Sequence, residues 1–428
     1  MKKIALAATA FLLLLHSFPA GRALAQDDKK ATGPITDAKP LIDMVRENPD
    51  CIPLDTEDAS RDLLILFRDP NDNPKREPGP INIQKTVGGL AYQGIPTFFR
   101  APVALGPEDL IAGKVDIAIM GASVDMSVGQ RGTAFGPQAV RTAEIVMPWG
   151  EGPTFGVGHP TGVDFMQELT VVDYGDAPVD VLSGERSIIP VHKMVKEIAE
   201  TGAIPVVVGG DHSLMYPDVV AVTDVYGKGK VGVVHFDAHF DGLGSLFGHL
   251  ISHGQPVRRL LDEGHVKGKN FVQIGLNSGK PSEKDIKWMR KHGVRYHFMA
   301  EIDRDGWSAV MERVLAEALD GPEQIFISVD TDVLDPAYAP GMGTPEPGGM
   351  TIRELMPILR ALGVQNKVVG VELVEVNPIV DQTYRSKLVA VRILREILTG
   401  IAMAKKGIDD PDYLNPLWTD HDVPLGNE

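Results

Sequence analysis

Three apolar runs in this chain each end in a short stretch of acids and imidazoles, and that recurrence limits the folds open to it more than any other feature. Residues 231–234 lead into His235-Phe236-Asp237-Ala238-His239-Phe240-Asp241, and residues 326–329 lead into Asp330-Thr331-Asp332, after which Asp335-Pro336 turns the chain. Residues 204–208 lead into Gly209-Gly210-Asp211-His212-Ser213. Each run reads as a buried strand. In extended backbone, residues two apart face the same side, so Asp237, His239 and Asp241 enter one small volume. Crowded carboxylates repel and lose hydration unless something positive lies between them, and a divalent metal is the simplest answer.

Together these ends offer four candidate carboxylates, Asp237, Asp241, Asp330 and Asp332, and two candidate imidazoles, His212 and His239. In open α/β sheets the carboxyl ends of neighbouring strands converge on one crevice, so groups distant in sequence can meet there. An oxygen-rich set with some nitrogen suits Mn²⁺ better than a thiolate-seeking ion, while Ni²⁺, Co²⁺ or Zn²⁺ fit similar ligands. Six ligands serve two ions if some carboxylates bridge.

The remaining pattern predicts further strands at 115–120, 169–173, 271–274 and 368–374, and helices at 138–145, 187–201, 283–292, 307–319, 352–362 and 385–404. Pro137 suits a first helical turn and Gly202 a helix end. Strands alternating with helices imply an α/β fold, a three-layer α/β/α sandwich around a mostly parallel sheet. Residues 26–114 are irregular apart from a short helix expected within 58–68, and read as an extension that wraps the core, mediates subunit contact or serves as a linker. The regular domain is expected over 115–405, with a polar, peripheral tail over 406–428.

Lys2 and Lys3 precede an apolar run at 4–15, and Ala23-Leu24-Ala25 offers a cleavage site before Gln26. Residues 1–25 therefore read as a cleaved signal peptide, giving an exported, periplasmic or secreted protein with no stable membrane anchor. The single cysteine, Cys51, excludes a disulfide within the chain and a thiolate metal site. A formal charge of −16 argues against nucleic-acid binding and is compatible with a cationic substrate. The chain has no internal repeat, no Gly-x-Gly-x-x-Gly loop and no Walker phosphate loop.

With these motifs in order, the chain resembles the ureohydrolase family, the arginase and agmatinase group. Gly209 to Ser213, Asp237 to Asp241 and Ser328 to Pro336 look like its signatures, as do Gly343-Thr344-Pro345-Glu346-Pro347-Gly348-Gly349 and Glu375-Val376-Asn377-Pro378. The resemblance implies two Mn²⁺ ions, one held by His212, Asp237, Asp241 and Asp330, the other by Asp237, His239, Asp330 and Asp332. It implies that hydroxide supplied by the ions attacks a guanidinium carbon, releasing urea and an amine. By the same resemblance His253, in Ser252-His253-Gly254, shuttles a proton to the leaving amine, and Glu375 pairs with the guanidinium. Thr344 and Glu346 border the substrate, and assembly as a homotrimer or homohexamer is expected.

The bland alternatives are a helix cap for His212, a surface position for His253 and a buried sheet helper for Glu375. His235 reads as core or as support for the ligands, His249 as surface, and Asp211 and Asp335 as turn formers. Between Asp241 and His253 the chain lacks the Asn and Ser-Gly-Asn groups with which arginases hold an amino-acid head group. Arginine is therefore disfavoured; agmatine leads, followed by 4-guanidinobutyrate and other linear guanidines. A single-zinc deacetylase of related fold and a non-catalytic partner subunit are the competing classes.

Overall fold

The computed structural model describes residues 39–47, 62–67, 75–85, 94–143 and 159–422; the expected signal peptide lies outside the described residues. Eight strands form one sheet: β1 (Ile117–Ala122), β2 (Val171–Asp176), β3 (Ile204–Gly209), β4 (Val231–Phe236), β5 (Phe271–Leu276), β6 (Arg295–Phe298), β7 (Gln324–Asp330) and β8 (Lys367–Val374). Their order is β2-β1-β3-β8-β7-β4-β5-β6, and every pairing is parallel. Strand β6 is absent from the sequence reading because Arg-Tyr-His-Phe is not an apolar run.

The two-residue period of the strands divides the core. Ile117, Ile119, Val206, Val208, Val234, Phe236, Ile325 and Ile327 pack on one face against helices Gly136–Ala143, Trp307–Leu319, Ile352–Gln365 and Arg385–Lys405. Ala118, Met120, Val207, Val233 and Phe326 pack on the other against Gly184–Glu200, Met215–Tyr226 and Pro256–Asp262. A parallel sheet buried on both sides by crossover helices is the three-layer sandwich that the alternation implied. The central strands β3, β8, β7 and β4 are neighbours, so the three motif-bearing ends and the Glu375 segment after β8 emerge side by side.

Part of the N-terminal extension belongs to this core. Leu41, Ile42 and Val45 of the helix Leu41–Glu47 are buried with the second face. The Ile42 amide donates to Tyr216 Oη at 3.1 Å, and the Tyr216 hydroxyl donates to Glu263 Oε2 at 2.6 Å. In the expected helix at 58–68, the described residues form only a short 3₁₀ turn, Leu63–Leu66.

On the first face, Glu396 joins three segments from a buried position. Its carboxylate lies 2.7 Å from Arg360 Nη1, 2.7 Å from Arg392 Nη2 and 3.3 Å from His159 Nε2. Burial alone raises its pKa, but the His159 hydrogen bond and the charges of Arg392, His159 and Arg360 overcome that and lower it to about 2. A depressed carboxylate stabilises the fold above its unfolded pKa and loses that contribution as pH falls through its folded value. From pH 5 to pH 2, this group is expected to remove on the order of 2–3 kcal/mol of stability. Urea unfolding of the parent and Glu396→Gln across that window checks it: the variant is less stable at pH 6, and the difference shrinks toward pH 2.

Candidate metal centre and substrate cavity

The end of β3 makes its turn at Gly210, where a Cβ would lie 1.7 Å from Val124 O, so a side chain is excluded there. Asp211 accepts the Ser213 amide at 3.0 Å and starts the short turn His212–Leu214, a turn-forming role as its sequence context suggested. His212 is thereby buried at the centre of the strand ends. Its Nδ1 stands 3.1 Å from Asp237 Oδ2, 3.0 Å from Asp241 Oδ2 and 3.1 Å from Asp330 Oδ2. Among the described residues, neither Nδ1 nor Asp237 Oδ2 makes a hydrogen bond. Four buried donor atoms that face one another without hydrogen-bond geometry are arranged for a cation.

A second set adjoins the first. His239 Nδ1 lies 2.8 Å from Asp332 Oδ2 and 3.5 Å from Asp237 Oδ1. Asp237 thus offers one oxygen to each set, and Asp330 Oδ1 accepts the Asp332 amide at 2.8 Å within the turn that ends β7. All six residues named from the sequence meet, and the combination Asp237, His239 and Asp332 has the compactness of a metal site. The electrostatics agree. Burial and the neighbouring Asp237 push the Asp241 carboxyl up to about 7, and burial with Asp332 and Asp237 raises Asp330 well above the carboxylate range. Asp237, despite its burial, is held well below that range by His212, His235 and His239.

Beneath these ligands the sheet carries a polar row instead of an apolar layer. Gln273, His235, Ser328 and Glu372 are side by side in register across β5, β4, β7 and β8, all fully buried. His212 Nε2 is 3.0 Å from Ser328 Oγ and 3.5 Å from Glu372 Oε1, which fixes the ring with Nδ1 toward the carboxylates. Gln273 Nε2 donates to His239 O at 2.8 Å. His235 Nε2 lies 3.0 Å from Asp237 Oδ2, and its place within β4 makes it the support for that carboxylate. It also groups with His212 and Asp237 as a metal-competent trio, but Asp241 and Asp330 reach His212 Nδ1 directly. Asp218, on the helix Met215–Tyr226, is fully buried, and burial with Glu372 raises its pKa. Sequence reasoning missed Asp218 and Glu372. An acid inside the otherwise apolar strand β8 was a usable signal for Glu372, whereas Asp218 in a first helical turn looked ordinary.

A cavity of about 280 Å³ opens beside the donors, lined by Phe240, Leu243, Leu246, His253, Thr344 and Glu346 among others. His253 is mostly buried: its Nε2 accepts the Val128 amide at 3.3 Å, and its Nδ1 lies 3.8 Å from Glu375 Oε1. Burial lowers its pKa; the positive influence of His239 and His212 adds to this, and Asp211 opposes it. Glu375 is fully buried at φ 63°, its Oε1 accepts the His212 amide at 3.1 Å, and its Oε2 has no partner among the described residues. Burial, Asp330, Asp211 and Asp332 raise its pKa. Asp241 shares the left-handed backbone, with φ 48°. Thr344 Oγ1 donates to Asp332 Oδ2 at 3.2 Å, and Glu346 Oε1 lies 3.5 Å from His239 Nε2. His249 is exposed and lies 3.1 Å from Glu185. Asp335 accepts the amides of Ala337 and Gly348 at 2.8 and 2.7 Å, as a turn former does.

The parallel sandwich with imidazoles and carboxylates gathered at the carboxyl edge of its central strands defines an α/β protein equipped to bind metal. Residues 115–400 match the arginase family, and the chain belongs to that family. It is 32% identical over 339 residues to the mitochondrial guanidino acid hydrolase of Homo sapiens, covering 78% of this chain and 89% of that protein. It is 35% identical over 327 residues to the mitochondrial agmatinase of Gallus gallus, covering 76% and 91%. Its fold superimposes on proclavaminate amidinohydrolase from Streptomyces clavuligerus with a TM-score of 0.63 and 31% identity, covering 74% of this chain and 100% of that one. The chain is thus a hydrolase of the group that acts on guanidino compounds.

A cation that neutralises these carboxylates is expected to stabilise the fold. At a hundredfold excess over its dissociation constant, Mn²⁺ added to chelator-treated protein contributes about 2.7 kcal/mol, a rise in Tm of about 3 °C. Scanning calorimetry checks this, with the rise lost in Asp237→Ala.

Proposed function

We propose that the chain hydrolyses a small linear guanidino compound to urea and an amine at two divalent ions, Mn²⁺ being the best match to its donors. The observation that carries this reading is the buried Glu375 carboxylate, with one oxygen unpartnered, beside His253 and the donor set. His212, Asp237, Asp241 and Asp330 would hold one ion, and Asp237, His239, Asp330 and Asp332 the other. Bound there, the ions supply hydroxide from water near neutral pH.

The chain's own residues do the rest. Glu375 meets the planar guanidinium through two parallel hydrogen bonds, so the charge that burial resists in the free protein is neutralised by the substrate. That contact sets the guanidinium carbon at the end of the cavity nearest the metal ligands. His253, kept neutral by burial, takes up a proton inside the cavity and delivers it to the departing amine nitrogen as the carbon–nitrogen bond breaks. The oxygen of water becomes the oxygen of urea. Thr344, donating to Asp332, steadies that carboxylate and the loop bordering the substrate.

Agmatine and 4-guanidinobutyrate are the first substrates to compare, because the relatives include enzymes named for both kinds. Cleavage before Gln26, export and assembly as a trimer or hexamer belong to the same proposal. Amino-terminal sequencing and light scattering of the extracellular or periplasmic protein check them.

The decisive experiment is urea release by the Mn²⁺-loaded protein from agmatine, 4-guanidinobutyrate, arginine and guanidine. Asp237→Ala is expected to abolish it, and His253→Ala to lower kcat by about 10²–10⁴-fold. No urea from any of these, with metal shown to be bound, would overturn the reading.

A further inference from the structure

The cavity wall contains a cation that neither the metal chemistry nor the proton transfer uses. Lys280 lines it together with Ser278 and Gly279, on the loop that follows β5. The loop is held in place. Asn277 and Ser278 donate their amides to Ala238 O at 3.0 and 3.1 Å, inside the metal-binding motif, and Asn277 Nδ2 donates to Pro347 O at 2.8 Å. Ser278 Oγ donates to Lys280 O at 3.1 Å. The backbone leading into Lys280 is therefore tied to both loops that border the donors, while its ammonium is loosely engaged. Its ion pair among the described residues is with Asp285 Oδ2 at 3.9 Å, beyond hydrogen-bonding distance. That carboxylate oxygen is already taken by the Ser282 amide and hydroxyl at 3.0 and 2.6 Å.

The other charges around the cavity are committed at its inner end. His239 and Asp241 belong to the donor set, and Glu346 stands 3.5 Å from His239 Nε2, beside the same set. The wall that carries Lys280 also carries the apolar side chains of Phe240, Leu243 and Leu246. Such a wall suits a short methylene chain. A substrate anchored by its guanidinium on Glu375 and running along this wall brings its far end to an ammonium.

We propose that Lys280 seats a carboxylate at the far end of the substrate, so that the enzyme's preferred class is the linear ω-guanidino carboxylic acid and not the ω-guanidino amine. The proposal rests on the urea-releasing reading above. The balanced reaction takes one water and one guanidino acid to urea and an ω-amino acid. The tail carboxylate stays intact and takes no part in bond breaking. Agmatine places a second cation against Lys280 and is disfavoured by the same geometry.

The size of the effect follows from exposure. The Lys280 side chain is 57% exposed, so solvent screens its attraction for a carboxylate. Loss of one such pair corresponds to roughly a twofold to fivefold change, and reversing the charge compounds it. The Mn²⁺-loaded full-length protein, Lys280→Met and Lys280→Glu are compared on 4-guanidinobutyrate, agmatine and n-butylguanidine, whose tail is neutral. The parent is expected to favour the acid over the amine. Lys280→Met is expected to raise KM for the acid about fivefold relative to butylguanidine, with the smaller part of the change in kcat. Lys280→Glu is expected to move the acid-to-amine ratio of kcat/KM by about 10²-fold toward agmatine. Raising salt from about 50 mM to about 0.5 M weakens the parent's preference and leaves that of Lys280→Met nearly flat.

A parent that prefers agmatine, or a ratio unchanged within twofold in both variants, overturns the assignment of Lys280 while urea release leaves the underlying reading intact. Absence of urea from all three substrates in metal-loaded parent overturns that reading, and this inference with it.

Discussion

The structure depends on one electrostatic constraint: Asp237, Asp241, Asp330, Asp332 and Glu375 share a small, dry volume. Five carboxylates cannot all ionise there without compensating charge, and the four imidazoles against them, His212, His235, His239 and His253, are fewer than the acids. The arrangement calls for positive charge to enter, and the His and Asp groups gathered there could hold metal. The strand order follows from this need. Placing β3, β8, β7 and β4 next to one another puts every donor-bearing end at the middle of the sheet, where helices on both faces exclude water.

The layer below the donors shows what that arrangement displaces. A parallel sheet this deeply buried ordinarily presents aliphatic side chains at every position. Here Gln273, His235, Ser328 and Glu372 occupy a cross-strand row, with Asp218 facing them from a helix. The row orients His212 through its far nitrogen and holds the His239 backbone through Gln273, so ligand direction is set by the sheet and not by flexible loops. Asp218 beside Glu372 is the least compensated part of this layer, since among the described residues neither carboxylate makes a hydrogen bond.

Much of the site was legible because strands leave a strong trace. Apolar runs ending in acids two apart identify a strand, its exit and the common direction of the side chains, and all six donors named on that basis meet in space. Helices Glu283–His292 and Trp307–Leu319 were readable to the residue from the sequence pattern. What escaped has physical reasons. The helix Met215–Tyr226 is apolar almost all round, so it carries no amphipathic signature. Strand β6 is an edge strand of polar and aromatic residues. The sequence before residue 115 looked irregular because the helices described there, Leu41–Glu47 and Pro107–Gly113, are seven residues each, too short to print a repeating pattern. Lys280 could not be distinguished from any surface lysine until the loop after β5 was seen to fold back on Ala238 and Pro347.

Asp241 and Glu375 hold left-handed backbone angles that glycine adopts freely and acidic side chains reluctantly. At both positions the strained backbone also carries a carboxylate of the site, so relief of strain and loss of chemistry are a single event. Glycine at either place would relax the turn and remove a buried charge, two changes that each favour the folded state. Selection for robustness alone would therefore erode this centre from within. Two strained acids, at strand ends on either side of β7, mark where the chain gives up stability for its site.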